Sequence, residues 1–268
     1  MRNSMRFFVI FNLSISLANA VECESYVGSR PTTITFDQAS KKFDNLTPKS
    51  EFETTLEFEA RQKIIADSLG NNDLIILNAF PEGYREGIKY NADKKEFNIT
   101  PWALGLDSYY RMLKIFIRLN YDLTKNRDIY SKSYVTIFVN QDTQKTGEYQ
   151  AINQNGVSVT VKKIKVLSNI IYDGSNLFPQ AMNSKLDTLG PVKIEPDGAR
   201  KFKDSVKFAF VIKPKEPYFL SGSHKTNTPK FNDLRDIDED FFILFATVKC
   251  ALVIDETGVT VAAFKANK

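Results

Sequence analysis

The chain is poor in the residues that most often carry chemistry. Its 268 residues include one histidine (His224), two cysteines and one tryptophan. Zinc sites need several Cys or His ligands, and a Ser-His-acid triad could use only His224, whose Gly/Ser-rich surroundings indicate a loop. The G-x-S-x-G, Walker A and G-x-G-x-x-G patterns are also missing from the sequence. We therefore predict no catalytic residue and no cofactor.

A strong charge of one sign is missing as well. Lys and Arg number 36 against 32 Asp and Glu, which gives a formal charge of +4. A balance this close to neutral creates no general field that would concentrate DNA or RNA, and no nucleic-acid partner is expected. After residue 20, no apolar run approaches the roughly 20 residues of a membrane span. No integral membrane segment is therefore expected in the mature chain.

The first twenty residues have the layout of a secretory signal peptide. Arg2 and Arg6 precede an apolar run over residues 7–17, and an A-x-A cleavage site follows at residues 18–20. The alternative interpretation is an ordinary N-terminal strand. The pattern predicts that residues 1–20 are removed and that residues 21–268 are periplasmic or secreted. Cys23 does not fit a lipid-attachment site, because Val21 and Glu22 precede it where small residues are needed.

Two cysteines in an exported chain usually bond to each other. We therefore predict a disulfide between Cys23 and Cys250 that joins the N-terminal segment to a C-terminal strand. The alternative is one buried thiol and one exposed thiol.

Alternation of apolar and polar residues predicts mainly β-structure. Every odd position of residues 112–123 is apolar or aromatic, which is typical of a half-buried strand. In the first half of residues 241–254, the odd and the even positions are both apolar. This pattern predicts a central strand that is covered on both faces. Further strands are predicted at residues 73–80, 134–139, 206–212 and 259–264, and a hairpin at residues 87–100.

Asn155-Gly156 lies between two strand-like runs and predicts another hairpin, with positive φ angles at both residues. The apolar residues occupy odd positions up to Val161 and even positions from Ile164 onward. This change predicts a bulge near Lys162 and Lys163. The strand at residues 206–212 is expected to end at Lys213-Pro214.

The best helix signal covers residues 55–69. Thr54 and Glu57 have capping-box spacing, and Glu57 and Arg61 have the spacing of a helical ion pair. One apolar stripe comprises Leu56, Ala60 and Ile64, and another comprises Phe58, Ile65 and Leu69. Such a helix either lies between two layers, which is the preferred interpretation, or offers one side to a partner. A short second helix is predicted near residues 196–203.

These elements predict an α+β fold with mainly antiparallel β-sheet, one capped N-terminal helix and few other helices. Residues 21–268 are expected to form a single domain, and a subdivision could fall near residues 169–190, which show little periodicity.

Asp236, Asp238 and Asp240 resemble the first three ligands of a calcium loop. The match then fails, since Phe241 occupies the glycine position and Thr247 the position of the bidentate glutamate. A solvated, charged segment before a strand is the preferred interpretation, and an irregular calcium site is the alternative.

Residues 51–61, EFETTLEFEAR, resemble a segment of uncharacterised exported proteins of Gram-negative bacteria, which carry an E-F-E-T-T-x-E-F-x-x-R motif soon after the signal peptide. Shorter similar stretches occur at residues 89–94, 147–149, 155–157 and 229–237. The resemblance implies a periplasmic location and no particular activity.

With no catalytic constellation, the sequence favours a non-catalytic periplasmic or secreted binding or interaction module. Its partner would be a protein or a cell-envelope component. The alternative is a carboxylate-dependent hydrolase acting on cell-envelope glycans. Two acids about 5–10 Å apart in an aromatic-lined cleft would favour the hydrolase, and an exposed apolar patch would favour the module.

Overall fold

The computed structural model describes residues 23–43, 50–69, 73–79, 82–107, 135–153, 155–173, 189–227, 229–230 and 233–266. The described α-helices are α1 (Phe36–Ser40), α2 (Thr55–Leu69) and α3 (Pro196–Ser205). The described strands are β1 (Leu74–Asn78), β2 (Ile88–Asn91), β3 (Glu96–Ile99), β4 (Leu106–Asp107), β5 (Val135–Ile152), β6 (Ser158–Asp173), β7 (Pro191–Lys193), β8 (Lys207–Asn227), β9 (Arg235–Ile254) and β10 (Thr260–Lys265).

The strands form one large sheet and one small one. The large sheet has the order β1-β8-β9-β6-β5-β4, and β10 also pairs with β9. The pairing between β6 and β9 is parallel, and the other pairings are antiparallel. The small sheet is antiparallel and has the order β2-β3-β7. The prediction of an α+β fold with mainly antiparallel sheet is confirmed.

Strand β9 lies at the centre of the large sheet, as its apolar sequence predicts. Leu244 and Ala251 pack into the main core, while Cys250 and Leu252 pack into a smaller core on the other face. Both faces are therefore covered, which explains why apolar residues of both parities occur along this strand.

The predicted disulfide is present. Cys23, in a 3₁₀ turn at Cys23–Tyr26, is bonded to Cys250 of β9. Both side chains are buried against Ala209 and Val211 of β8. The bond attaches the first described residues to the middle of the large sheet.

The hairpin around Asn155-Gly156 is confirmed, with a longer turn than predicted. Asn153 N donates to Val157 O, and of the two turn residues only Gly156 has a positive φ, at 78°. The irregularity predicted near Lys162 and Lys163 is present at Lys163, but the extra residue lies on β5 and not on β6. The β5–β6 register shifts between Lys145 and Gly147 on β5, opposite the predicted position.

The change of parity on β6 reflects its two faces rather than an extra residue. Val161 is buried on one face, and Ile164 and Val166 are half-buried on the other. Since both faces carry apolar residues, parity alone does not locate a bulge.

Strand β8 continues past Lys213-Pro214, and the prediction that it ends there is wrong. Pro214 pairs with Ala246 and Phe219 with Leu244, so residues 215–218 lie opposite a single residue of β9. Proline has no N–H to continue the ladder, and the chain leaves the register there and returns at Phe219. His224 therefore lies in β8 rather than in the predicted loop.

The small sheet and α3 contribute residues to the main core, among them Phe97, Val192 and Phe202. The predicted hairpin forms from β2 and β3, and its turn includes Lys95 with a φ of 51°. Helix α3 begins with Pro196, as predicted, and its Phe202 ring packs on Phe97 with 5.1 Å between ring centroids.

Other predictions fall partly or wholly on positions outside the described residues. These are the signal peptide at residues 1–20, the strand at residues 112–123 and most of the potential boundary at residues 169–190. Residues 169–173 are the last residues of β6. The domain division stays a prediction.

Candidate interaction surface on helix α2

Helix α2 begins with the capping box that its sequence predicts. The Thr54 backbone N–H donates to Glu57 Oε2 at 2.8 Å, and the Glu57 N–H donates to Thr54 Oγ1 at 3.2 Å. Two backbone donors that have no partner within the helix are satisfied in this way. The boundaries Thr55–Leu69 agree with the prediction.

An ion pair joins the turn before α2 to the helix itself. Arg61 Nε and Nη2 donate to the two carboxylate oxygens of Glu53, at 2.9 and 2.8 Å. The Arg61 guanidinium also lies 5.2 Å from the centre of the Phe58 ring. The predicted Glu57–Arg61 pair is not observed, because Arg61 reaches Glu53 and Glu57 bonds to Thr54.

The two apolar stripes of α2 have different environments. Ile65 is buried and Phe58 is half-buried. Leu56 is 76% exposed, Ile64 is 69% exposed, and Ala60 between them is exposed too. The interpretation of α2 as a helix between two layers is therefore wrong for the Leu56 stripe. Its alternative, a helix with one side left for a partner, agrees with the observed burial.

Phe52 extends the exposed stripe into the turn before the helix. Its side chain is 89% exposed, and it precedes Leu56 by the same four residues that separate Leu56 from Ala60. We call the side chains of Phe52, Leu56, Ala60 and Ile64 the α2 surface. Residues four apart are neighbours along one face of a helix, so Leu56, Ala60 and Ile64 form one row, and Phe52 lies in the turn that precedes it.

A shallow, open depression lies beside the α2 surface. Its lining residues are Ser50, Phe52, Glu53, Glu57 and Arg61. The hydrogen bond from the Thr54 backbone, followed by the one from its hydroxyl, lowers the pKa of Glu57 below the ordinary glutamate value. Glu57 is thus ionised at neutral pH, while Glu53 is bound by Arg61. Glu57 therefore lacks the raised pKa that a general acid needs.

The three aspartates of the calcium hypothesis occupy alternate positions on β9. Lys225 Nζ lies 2.6 Å from Asp236, and Lys165 Nζ lies 2.8 Å from Asp240. Hydrogen bonds from Lys165 and then Ser223 lower the pKa of Asp240. Within the described ranges, no three His, Cys, Asp or Glu side chains form a group that could hold a metal ion. The irregular calcium site stays an untested alternative to the preferred interpretation of a solvated, charged segment.

The structure also contains a buried polar cluster that the sequence did not indicate. Ser168 Oγ donates to Glu239 Oε1 at 2.5 Å, and Gln141 Nε2 donates to Ser168 Oγ at 3.1 Å. Ser168 and Glu239 are buried. The backbone of His224 lies opposite Glu239 in the β8–β9 register. These residues lie on four adjacent strands, and only the strand order brings them together.

Comparisons of the chain with protein-family models, with curated protein sequences and with solved structures find no match. The resemblance of residues 51–61 to exported bacterial proteins stays a prediction. No helix in the described part of the chain combines the length and apolar character needed to cross a bilayer.

Proposed function

We propose that this protein is an exported, non-catalytic interaction module that binds a partner protein through the α2 surface. The observation that carries the proposal is the row of exposed apolar side chains on a helix whose start is fixed by a capping box and an ion pair. An amphipathic helix that presents its apolar face to a groove is a recurrent mode of protein recognition.

The exposure of this row is unfavourable in the isolated chain. Fully burying a Leu, Ile or Phe side chain contributes about 1.5–3 kcal/mol. Single exposed apolar side chains are common on protein surfaces, but several of them close together on one face of a helix are typical of an interaction site. Phe52, Leu56 and Ile64 together would supply the apolar anchors of such an interface.

The carboxylates beside the α2 surface do not support the hydrolase alternative. Glu53 and Glu57 line an open depression rather than a cleft. Glycoside hydrolysis requires one carboxyl group that is protonated at the working pH. The lowered pKa of Glu57 argues against that role. The geometry therefore favours binding over hydrolysis at this place.

Two observations support export. The first is the signal-peptide layout of residues 1–20. The second is the disulfide between Cys23 and Cys250, which is typical of proteins that mature in an oxidising compartment.

The test is site-specific photo-cross-linking in the native host. A benzophenone amino acid replaces Leu56 in one variant and Ile152, which is 78% exposed at the tip of the β5–β6 hairpin, in the matched control. We expect a protein adduct of defined mass from position 56 only, and its loss when Ile64→Asp is added. Equal adducts from both positions, or none from position 56, would contradict the proposal.

A further inference from the structure

We infer that the α2 surface binds a second copy of this chain, with the two α2 helices antiparallel around a two-fold axis at Ala60. This inference rests on the proposed function, because it names the partner of the same surface. It follows from the order of apolar and charged residues along α2.

The apolar residues are symmetric about Ala60. Leu56 lies four residues before Ala60 and Ile64 four residues after it. A two-fold axis at Ala60 therefore places Leu56 of one copy at the level of Ile64 of the other. Ala60 has a small side chain at the crossing point, which allows the helix axes to approach closely. Leu56, Ala60 and Ile64 then cover one another across the axis, whereas Phe52, eight residues before Ala60, has Ser68 as its counterpart.

The four charged residues nearest to Ala60 are antisymmetric about it, while Asp67, near the end of α2, is acidic as well. Glu57 and Glu59 precede Ala60, and Arg61 and Lys63 follow it. In an antiparallel pair, Glu59 of one copy lies near Lys63 of the other, and both side chains are exposed. A parallel pair would instead place like charges side by side. Since Glu57 and Arg61 are bonded within their own chain, the complementarity rests on Glu59 and Lys63, and it favours a second copy in the antiparallel orientation.

The area of contact sets the expected strength. Two short helical faces bury less than the roughly 1,200 Å² that is typical of a stable interface. The dimer should therefore form reversibly, with a proportion that rises with protein concentration. It should also weaken at high salt, because exposed charge pairs are screened.

Disulfide trapping tests the orientation. Cys23 and Cys250 are bonded to each other and are the only cysteines in the sequence, so an introduced cysteine supplies the single free thiol. Leu56→Cys and Ile64→Cys chains are prepared separately, one with a mass tag, and then mixed under mild oxidation. We expect the mixed 56–64 dimer to form at least several-fold faster than either self-linked dimer. Faster 56–56 and 64–64 linkage would overturn the antiparallel arrangement.

Charge reversal tests the complementarity on uncross-linked protein. In a dimer of the Glu59→Lys variant, the lysine at position 59 of each copy meets Lys63 of the other. In a dimer of the Lys63→Glu variant, Glu59 of each copy meets the glutamate at position 63 of the other. Each variant alone should dimerise less than the unmodified chain, whereas their mixture restores attraction at both flanks. Native mass spectrometry of tagged chains should then show an excess of the mixed dimer over both homodimers. A statistical distribution, with circular dichroism unchanged, would overturn the inference.

The two proposals can fail separately. If the chain sediments as a monomer at every concentration and gives no 56–64 linkage, the second copy is excluded. A benzophenone adduct from position 56 to a different protein would then still support the interaction module. An adduct of twice the mass of the chain would support both.

Discussion

Cys23 and Cys250 are joined by a disulfide although 227 positions separate them in the sequence, and their Cα atoms lie 5.8 Å apart. The bond closes a loop that contains nearly all of the described chain. It also lies in a buried cluster with Leu252 of β9 and with Ala209 of β8. Cys23, the first described residue, is thereby tied to β9 in the middle of the large sheet.

Removal of this disulfide should lower the stability of the whole sheet. On the chain-entropy model, a loop of this length contributes about 5 kcal/mol. We expect Cys23→Ala/Cys250→Ala to unfold at a markedly lower urea concentration than the oxidised protein. Reductant should shift the unmodified protein by a similar amount and leave the double variant unchanged. An unchanged unfolding midpoint after reduction would contradict this prediction.

Loss of the capping box should weaken α2 locally. Thr54→Ala removes the hydroxyl that accepts from the Glu57 N–H. Replacing an N-cap hydroxyl with alanine typically costs about 1 kcal/mol of helix stability. We expect faster hydrogen exchange at the first amides of α2, with little change in β9. Thr54→Ser keeps the hydroxyl and should retain the protection, so equal loss in both variants would argue against capping.

Acidification should destabilise α2 through Glu57. The bonds from Thr54 lower the folded-state pKa of Glu57 below its unfolded value. Glu57 therefore contributes stability above the unfolded pKa, and this contribution is lost as the pH falls below the ordinary glutamate pKa and through the lowered folded-state pKa. Hydrogen exchange of α2 should show this pH dependence in the unmodified chain and a smaller one in Glu57→Gln. Identical pH profiles would contradict the assignment to Glu57.

The elements that could be predicted from the sequence carry local signals. Helix α2 has its capping box within four residues, and β9 has an apolar run that only a covered strand tolerates. The end of β8 was mispredicted, because its pairing with β9 continues beyond Pro214. That pairing depends on a strand more than twenty residues further along, which no local pattern at Pro214 reveals.

The candidate site was predictable only in part. The two stripes of α2 follow from residue spacing, but which of them is exposed depends on how the helix packs. The sequence predicts Glu57 as the partner of Arg61, but Arg61 bonds to Glu53. Glu53 lies in the turn before the helix, so helical spacing does not identify it as a partner. Ser168 and Glu239 are 71 positions apart in the sequence. They meet because β6 and β9 pair in parallel, and no local sequence pattern predicts that pairing.

Asp173 should be important for the junction of β6, β8 and β9. Its carboxylate is fully buried, accepts from the Val248 N–H at 2.6 Å and lies 3.2 Å from Lys215 Nζ. Asp173→Ala would leave the buried Val248 N–H without this acceptor, which costs about 1–3 kcal/mol, whereas Lys215, whose side chain is 38% exposed, can bind water instead.

Asp173→Asn is the matched control, because its amide oxygen can still accept from Val248. We expect the free energy of unfolding in urea to be highest for the unmodified chain, lower for Asp173→Asn and lowest for Asp173→Ala. A loss below about 0.5 kcal/mol in Asp173→Ala, as at an ordinary surface position, would show that the carboxylate does not stabilise this junction.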